Sequence, residues 1–136
     1  MGMNLIVTAS IIYLVLGLSH IFLTLFTKVF EPIDPEVFAL NKSSYGKITS
    51  KTSLWNSGIG FHLSHSLGFL IFGSFYISIA TENPELILSS DVFGLALIIV
   101  PITYLYLSIK YWFILPTIGL TISCVSYILG LILMKF

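Results

Sequence analysis

Charged residues divide the sequence into four long neutral stretches, and this division is its strongest pattern. A helix needs about 20 apolar residues to cross the hydrocarbon core of a bilayer. Each stretch reaches or nearly reaches that length, and the runs alternate too little to be strands of a membrane barrel. We therefore predict an all-α fold, a four-helix transmembrane bundle with antiparallel neighbours that forms a single membrane domain over 1–136. The spans are expected near 4–27, 54–79, 92–109 and 114–134.

The one sizeable polar segment, residues 28–53, joins the first two spans. Within it, Asp34, Pro35 and Glu36 are typical of an N-cap, a first-turn proline and a first-turn acid. Apolar residues follow them directly. The segment is therefore predicted to contain a short interfacial helix over 35–41.

Composition supports a membrane location and excludes several other classes of protein. Hydrophobic residues make up 57% of the chain and charged residues 9%, whereas a soluble domain averages about 25% charged residues. Mean hydropathy is +1.02. Six lysines, six acidic residues and no arginine give no net charge, so the chain lacks the basic surface of a nucleic-acid binder. The single cysteine, Cys124, excludes an intrachain disulfide and a CxxC redox pair.

The lysines predict the orientation of the spans in the bilayer. Lys135 lies on the side of the termini, and the other five lysines lie on the opposite side. Cytoplasmic loops carry an excess of lysine and arginine. We therefore expect an integral membrane protein with a cytoplasmic 28–53 loop and both termini outside. The five lysines are Lys28, Lys42, Lys47, Lys51 and Lys110.

Three histidines, His20, His62 and His65, fall within predicted spans. Ionisable side chains are costly there and usually face the bundle interior. All three lie about 12 to 16 Å from helix ends at the same membrane face, at about 1.5 Å of rise per residue. We therefore expect them to share one layer. The i,i+3 spacing of His62 and His65 puts both on one side of the second helix.

Stripes of small or polar residues predict which helix faces meet. The first-helix stripe includes His20, and such a face is the one expected to meet other helices. Ridges of small residues on the second and fourth helices are typical of close backbone contact. The first-helix stripe is Tyr13, Gly17, His20, Thr24 and Thr27. The two ridges are Ser57, Gly60, Ser64 and Gly68 on the second helix, and Gly119, Ser123, Ser126 and Gly130 on the fourth.

The leading functional hypothesis is an intramembrane site for a cofactor, a metal or a small apolar ligand. His20 and His65 are its candidate anchors, with Tyr13, Thr24 and Ser64 as supports. Two histidines on facing helices could hold a haem or a metal ion, and His20, His62 and His65 are all candidate metal ligands. They could equally hydrogen-bond a quinone or a lipid head group, or relay a proton.

Two alternatives stay open. A structural or accessory protein without chemistry would use the histidines only to bridge the first two helices. A facilitator of neutral-solute passage is the other alternative, because no carboxylate or lysine lies deep in a span to couple transport to an ion.

Several short blocks resemble a group of uncharacterised four-helix bacterial membrane proteins of about this length. The resemblance implies a four-helix fold in the bacterial inner membrane and points to His20 and His65, but it supplies no activity. The blocks are Gly17-Leu18-Ser19-His20 with Thr24, Phe30-Glu31-Pro32 with Asp34-Pro35, Gly60-Phe61 with Ser64-His65-Ser66-Leu67-Gly68, and Tyr111-Trp112-Phe113 with Pro116.

Overall fold

A computed structural model describes all 136 residues, and its four long helices begin and end close to the predicted spans. Each of the four is long and apolar enough to cross a membrane. The predictions of an all-α fold and of four apolar helices are therefore confirmed. The long helices are α1 (Gly2–Phe26), α3 (Leu54–Glu82), α5 (Asp91–Tyr111) and α6 (Ile114–Lys135), and the short ones are α2 (Pro35–Ser43) and α4 (Glu85–Ser89).

Helix α2 is the predicted short helix of the polar segment. The Asp34 side chain accepts a hydrogen bond of 2.8 Å from the backbone N–H of Glu36, and Pro35 occupies the first helical position. At the other end, the Ser44 N–H donates to the carbonyl of Leu40 at 2.8 Å. The helix therefore begins at the predicted residue and ends two residues beyond the predicted end.

Two short elements have no counterpart in the sequence prediction. Strands β1 (Tyr45–Gly46) and β2 (Thr49–Ser53) pair as an antiparallel hairpin between α2 and α3, and α4 precedes α5. The hairpin is mostly exposed and too short to show an alternating apolar pattern. Hydrophobic periodicity could not identify it for that reason.

The chain forms two compact units. The first contains residues 1–16 and 69–136, and its core combines aromatic rings with buried hydroxyls. The Ser10 and Tyr127 hydroxyls lie 2.9 Å apart, and the Ser123 hydroxyl donates to the carbonyl of Ala9 at 3.1 Å. These bonds join α1 to α6 by polar contacts, which the low dielectric of a protein interior strengthens.

Small residues on α6 form the predicted packing face within this first unit. A Cβ added at Gly130 would lie 2.8 Å from Cγ1 of Ile6 and 3.0 Å from the carbonyl oxygen of Gly2, and one at Gly119 would contact Leu16 at 3.4 Å. Ser123 is fully buried. The α6 ridge is therefore confirmed as a contact with α1 at Gly119, Ser123 and Gly130.

The small-residue ridge predicted on α3 is wrong as a packing face at three of its four positions. Ser57, Gly60 and Ser64 are exposed, and a Cβ added at Gly60 would meet nothing within 4 Å. The close approach on α3 lies instead at Gly73, where an added Cβ would lie 2.7 Å from the carbonyl oxygen of Ser10. The spacing of small residues identifies a narrow face of a helix. It does not determine whether that face packs against another helix or is exposed.

Candidate functional site

The second unit, residues 17–68, brings His20 at the end of α1 against His62 near the start of α3. Nε2 of His20 and Nδ1 of His62 are 3.0 Å apart, a hydrogen-bond distance. The ring of His65 lies 5.8 Å from that of His20 at 74°. The three rings therefore lie next to one another, as a common layer requires, and we refer to the three residues as the histidine cluster.

The pairing within this cluster differs from the sequence hypothesis. His20 and His65 were the expected anchors, yet it is His62 that hydrogen-bonds His20. Each of these two rings uses one nitrogen in this bond. Their outer nitrogens, Nδ1 of His20 and Nε2 of His62, have no hydrogen-bond partner.

Two phenylalanines lie against the histidine cluster. Phe30 stacks on His62 with ring centroids 4.7 Å apart at 19°, and it lies 5.0 Å from His20. Phe61 is nearly parallel to His65 at 6.1 Å and 13°. Neither phenylalanine was predicted to have a role. The i,i+4 spacing of Phe61 and His65 was a signal for one contact, whereas the approach of Phe30 depends on how the loop after α1 folds.

Hydroxyl side chains hold the backbone at both hydrogen-bonded histidines. Thr24 donates to the carbonyl of His20 at 2.7 Å, and Ser66 donates to the carbonyl of His62 at 2.8 Å. Such bonds to the preceding turn add a local backbone constraint and often bend a helix. Thr24, a predicted support, therefore contacts the backbone of His20, and Ser66, which was not predicted, has the same relation to His62.

Two other predicted supports lie elsewhere. Ser64 is exposed and its hydroxyl donates to the carbonyl of Phe61 on its own helix at 3.0 Å. Tyr13 belongs to the first unit and is fully buried there. Its ring contacts four aromatic rings, those of Phe69, Phe72, Tyr104 and Tyr127.

The histidine cluster does not have the geometry of a metal centre. No group of three or more His, Cys, Asp or Glu side chains could hold a metal ion in this arrangement. A haem or metal held by both His20 Nε2 and His62 Nδ1 would have to replace the bond between them. Metal and haem binding therefore stay predictions that require the rings to move.

Comparison with known proteins does not assign the chain to a family. No family model matches the chain, and neither a curated protein nor a solved structure matches it. The resemblance to uncharacterised four-helix bacterial membrane proteins stays a prediction.

Proposed function

We propose that the chain is a multi-pass integral membrane protein whose histidine cluster binds a small, largely apolar ligand through a polar head. The observation that carries the proposal is the pair of unpartnered outer nitrogens on His20 and His62. Both rings lie in residues that are only partly exposed. The Tyr13 hydroxyl is the one buried side-chain polar atom without a partner, so the two outer histidine nitrogens are accessible, and a ligand head group could hydrogen-bond to them.

Exposed apolar side chains support the location in a membrane. Each long helix carries large hydrophobic residues that are more than half exposed, for example Val15, Ile71, Ile99 and Leu115. Charged residues lie only at the ends of these helices. Apolar patches of this extent are rare on soluble monomers. In a bilayer, the same side chains would contact lipid chains instead of water.

The polar segment supports the proposed orientation, with residues 28–53 at the cytoplasmic face of the bacterial inner membrane. The Lys42 ammonium lies 4.0 Å from the centre of the Phe38 ring, and that ring contacts Trp55 edge-on at 4.9 Å. Tryptophan is enriched where the bilayer meets water, and lysine is enriched on cytoplasmic loops. These contacts fit a segment lying at the boundary from which α3 begins.

A purely structural role for the histidine cluster is the second candidate. The direct His20–His62 bond, which links α1 to α3, favours it. In this case the two rings would stabilise the contact between helices, and no ligand would be needed.

Ligand inventories of purified proteins separate the two candidates. We would purify the parent with His20→Ala, His62→Ala and His65→Ala, and use Leu18→Ala as the control because Leu18 is 58% exposed on α1. Absorbance and mass spectrometry would measure haem, metal and co-purifying small molecules. We expect the parent and the control to hold a ligand that the His20 and His62 variants lose. Identical inventories with only lower melting temperatures in the histidine variants would overturn the ligand site and support the bridge.

A further inference from the structure

The polar segment between α1 and α3 separates its acidic residues from most of its lysines. The acids lie at or before the first turn of α2, whereas residues 37–53 contain three lysines and no acid. About 9 Å of helix rise separates Glu36, the last acid, from Lys42, at about 1.5 Å per residue. The three lysines are exposed and form no ion pair, so this part of the chain carries an uncompensated positive charge. We refer to residues 37–53 as the basic segment, and its lysines are Lys42, Lys47 and Lys51.

The basic segment folds back onto the start of α3. The N–H of Leu54, the first residue of α3, donates to the carbonyl of Ser44 at 2.9 Å. A Cβ added at Gly46 would lie 3.9 Å from Cδ2 of Leu54. Lys47 and Ile48, which directly follow Gly46 in the turn of the hairpin, therefore lie beside the end of the helix instead of extending away from it.

Exposed apolar side chains accompany the lysines. Ile48 is 99% exposed and lies in the turn between the two strands, next to Lys47. Leu40 and Tyr45 are also more than half exposed. Apolar side chains beside basic ones are typical of segments that lie in the membrane interface, and tyrosine is enriched there.

We propose that the basic segment binds anionic lipid head groups at the surface of the bilayer that the four long helices span. The three lysines contact lipid phosphates, and Ile48 enters the interfacial layer. A lipid is favoured over a soluble acidic partner because the segment is continuous with the end of a membrane-spanning helix. This inference rests on the proposed membrane location and specifies which lipids the protein prefers.

The lysines determine how strong the lipid preference should be and how it responds to salt. A lysine close to an anionic membrane surface strengthens association by about fivefold, and its effect falls off within a Debye length. That length decreases from about 10 Å at 0.1 M salt to about 3 Å at 1 M. Salt should therefore weaken the contact of the lysines with lipid, whereas contact through Ile48 alone would not depend on salt or on lipid charge.

A fluorophore on the hairpin measures its distance from the lipid surface in nanodiscs that contain the whole protein. Ser50→Cys introduces an exposed thiol on β2, and Cys124 is buried, so bimane attaches to the hairpin. Lipids with a nitroxide on the head group quench it. Discs of phosphatidylcholine are compared with discs in which a third of the lipid is phosphatidylglycerol, at low and high salt.

Two lysine variants identify the charges that are responsible. The control removes two lysines outside the basic segment, by Lys110→Gln with Lys135→Gln. The charge variant combines Lys42→Gln, Lys47→Gln and Lys51→Gln.

We expect quenching in the parent and in the control to increase with phosphatidylglycerol and to return towards the phosphatidylcholine value at high salt. The charge variant should lose this response, because docking weakens about fivefold for each lysine removed. Equal quenching of the parent in the two kinds of disc, or an undiminished response in the charge variant, would overturn the inference.

Two further outcomes distinguish the remaining explanations. A response of the parent to soluble polyglutamate, but not to phosphatidylglycerol, would overturn the inference and indicate an acidic protein partner. Failure of the protein to enter discs of either composition would contradict the proposed membrane location, and this inference with it.

Discussion

Tyr13 has the one buried side-chain polar atom without a hydrogen-bond partner. Its ring is fully buried and lies 5.0 Å from Phe69 and 5.9 Å from Tyr127. The Tyr127 hydroxyl, by contrast, pairs with Ser10 at 2.9 Å. An unmade hydrogen bond on a buried group costs about 1 to 3 kcal/mol. The unpaired Tyr13 hydroxyl therefore lowers the stability of the fold, whereas the paired Tyr127 hydroxyl raises it.

Replacement of Tyr13 by phenylalanine should raise the stability of the protein. Tyr13→Phe removes the unpaired hydroxyl and keeps the ring contacts, so we expect about 1 kcal/mol more unfolding free energy. Tyr127→Phe is the matched control, and it should lower the unfolding free energy by a similar amount because the bond between the Tyr127 and Ser10 hydroxyls is lost and Ser10 keeps only its bond to the Ile6 carbonyl. Denaturant unfolding in detergent measures both. A loss of stability in Tyr13→Phe equal to that in Tyr127→Phe would contradict this account.

His20 and His62 should act as a coupled pair rather than as independent residues. Each alanine variant breaks the same 3.0 Å bond, so the double variant should cost less stability than the sum of the two single variants. Contacting residues show interaction energies of about 0.5 to 3 kcal/mol in such cycles. Melting curves of the parent, the two single variants and the double variant measure this interaction energy. If the stability losses of the two single variants simply summed to that of the double variant, the bond would contribute nothing to stability.

The sequence located the histidines but not their pairing. Polar residues within apolar spans are conspicuous, and distance from the helix ends placed all three in one layer. His62 and His65 share a side of α3, so which of them reaches His20 depends on helix rotation and on side-chain rotamers. Phe30 is positioned by a loop, for which no periodic pattern exists.

Helix contacts in the first unit depend on a few positions where backbones nearly touch. Gly73 on α3 faces the Ser10 carbonyl, and Gly130 on α6 faces Ile6 and Gly2. Charged residues at the helix ends allowed the spans to be predicted to within a few residues. The contact faces were harder to predict, because the exposed Gly60 and the packed Gly73 are both glycines in the same apolar helix.

Leucine substitutions at these two glycines should therefore have different effects. Gly73→Leu places a side chain where even a Cβ would be 2.7 Å from the Ser10 carbonyl oxygen, and overpacking typically costs about 1 to 3 kcal/mol or more. Gly60→Leu, the control, points into open space and should change stability by less than about 0.5 kcal/mol. Thermal unfolding in detergent measures the difference. Equal melting temperatures for the two variants would mean that the α1–α3 contact is not close at Gly73.

At the scale of the whole molecule, the distribution of charge and of exposed apolar surface determines how the protein would sit in a bilayer. The four long helices expose large apolar residues along their lengths, and the charges lie at their ends and in the connections. With four crossings, the segments 28–53 and 83–90 must lie on opposite sides of the membrane. The lysine excess predicts that the first of these lies in the cytoplasm.

Thiol labelling at one site on each connection tests this topology. Cys124 is 5% exposed, so the parent should react little with a membrane-impermeant maleimide. Labelling of the native cysteine should therefore add little to the signal of each introduced cysteine. Ser89→Cys, at an exposed position, should be labelled on intact cells. Ser44→Cys, at the end of α2, should be labelled only after the membrane is opened, because the lysines around it predict a cytoplasmic loop. Labelling of Ser44→Cys, but not Ser89→Cys, on intact cells would reverse the orientation, and labelling of both would contradict four crossings.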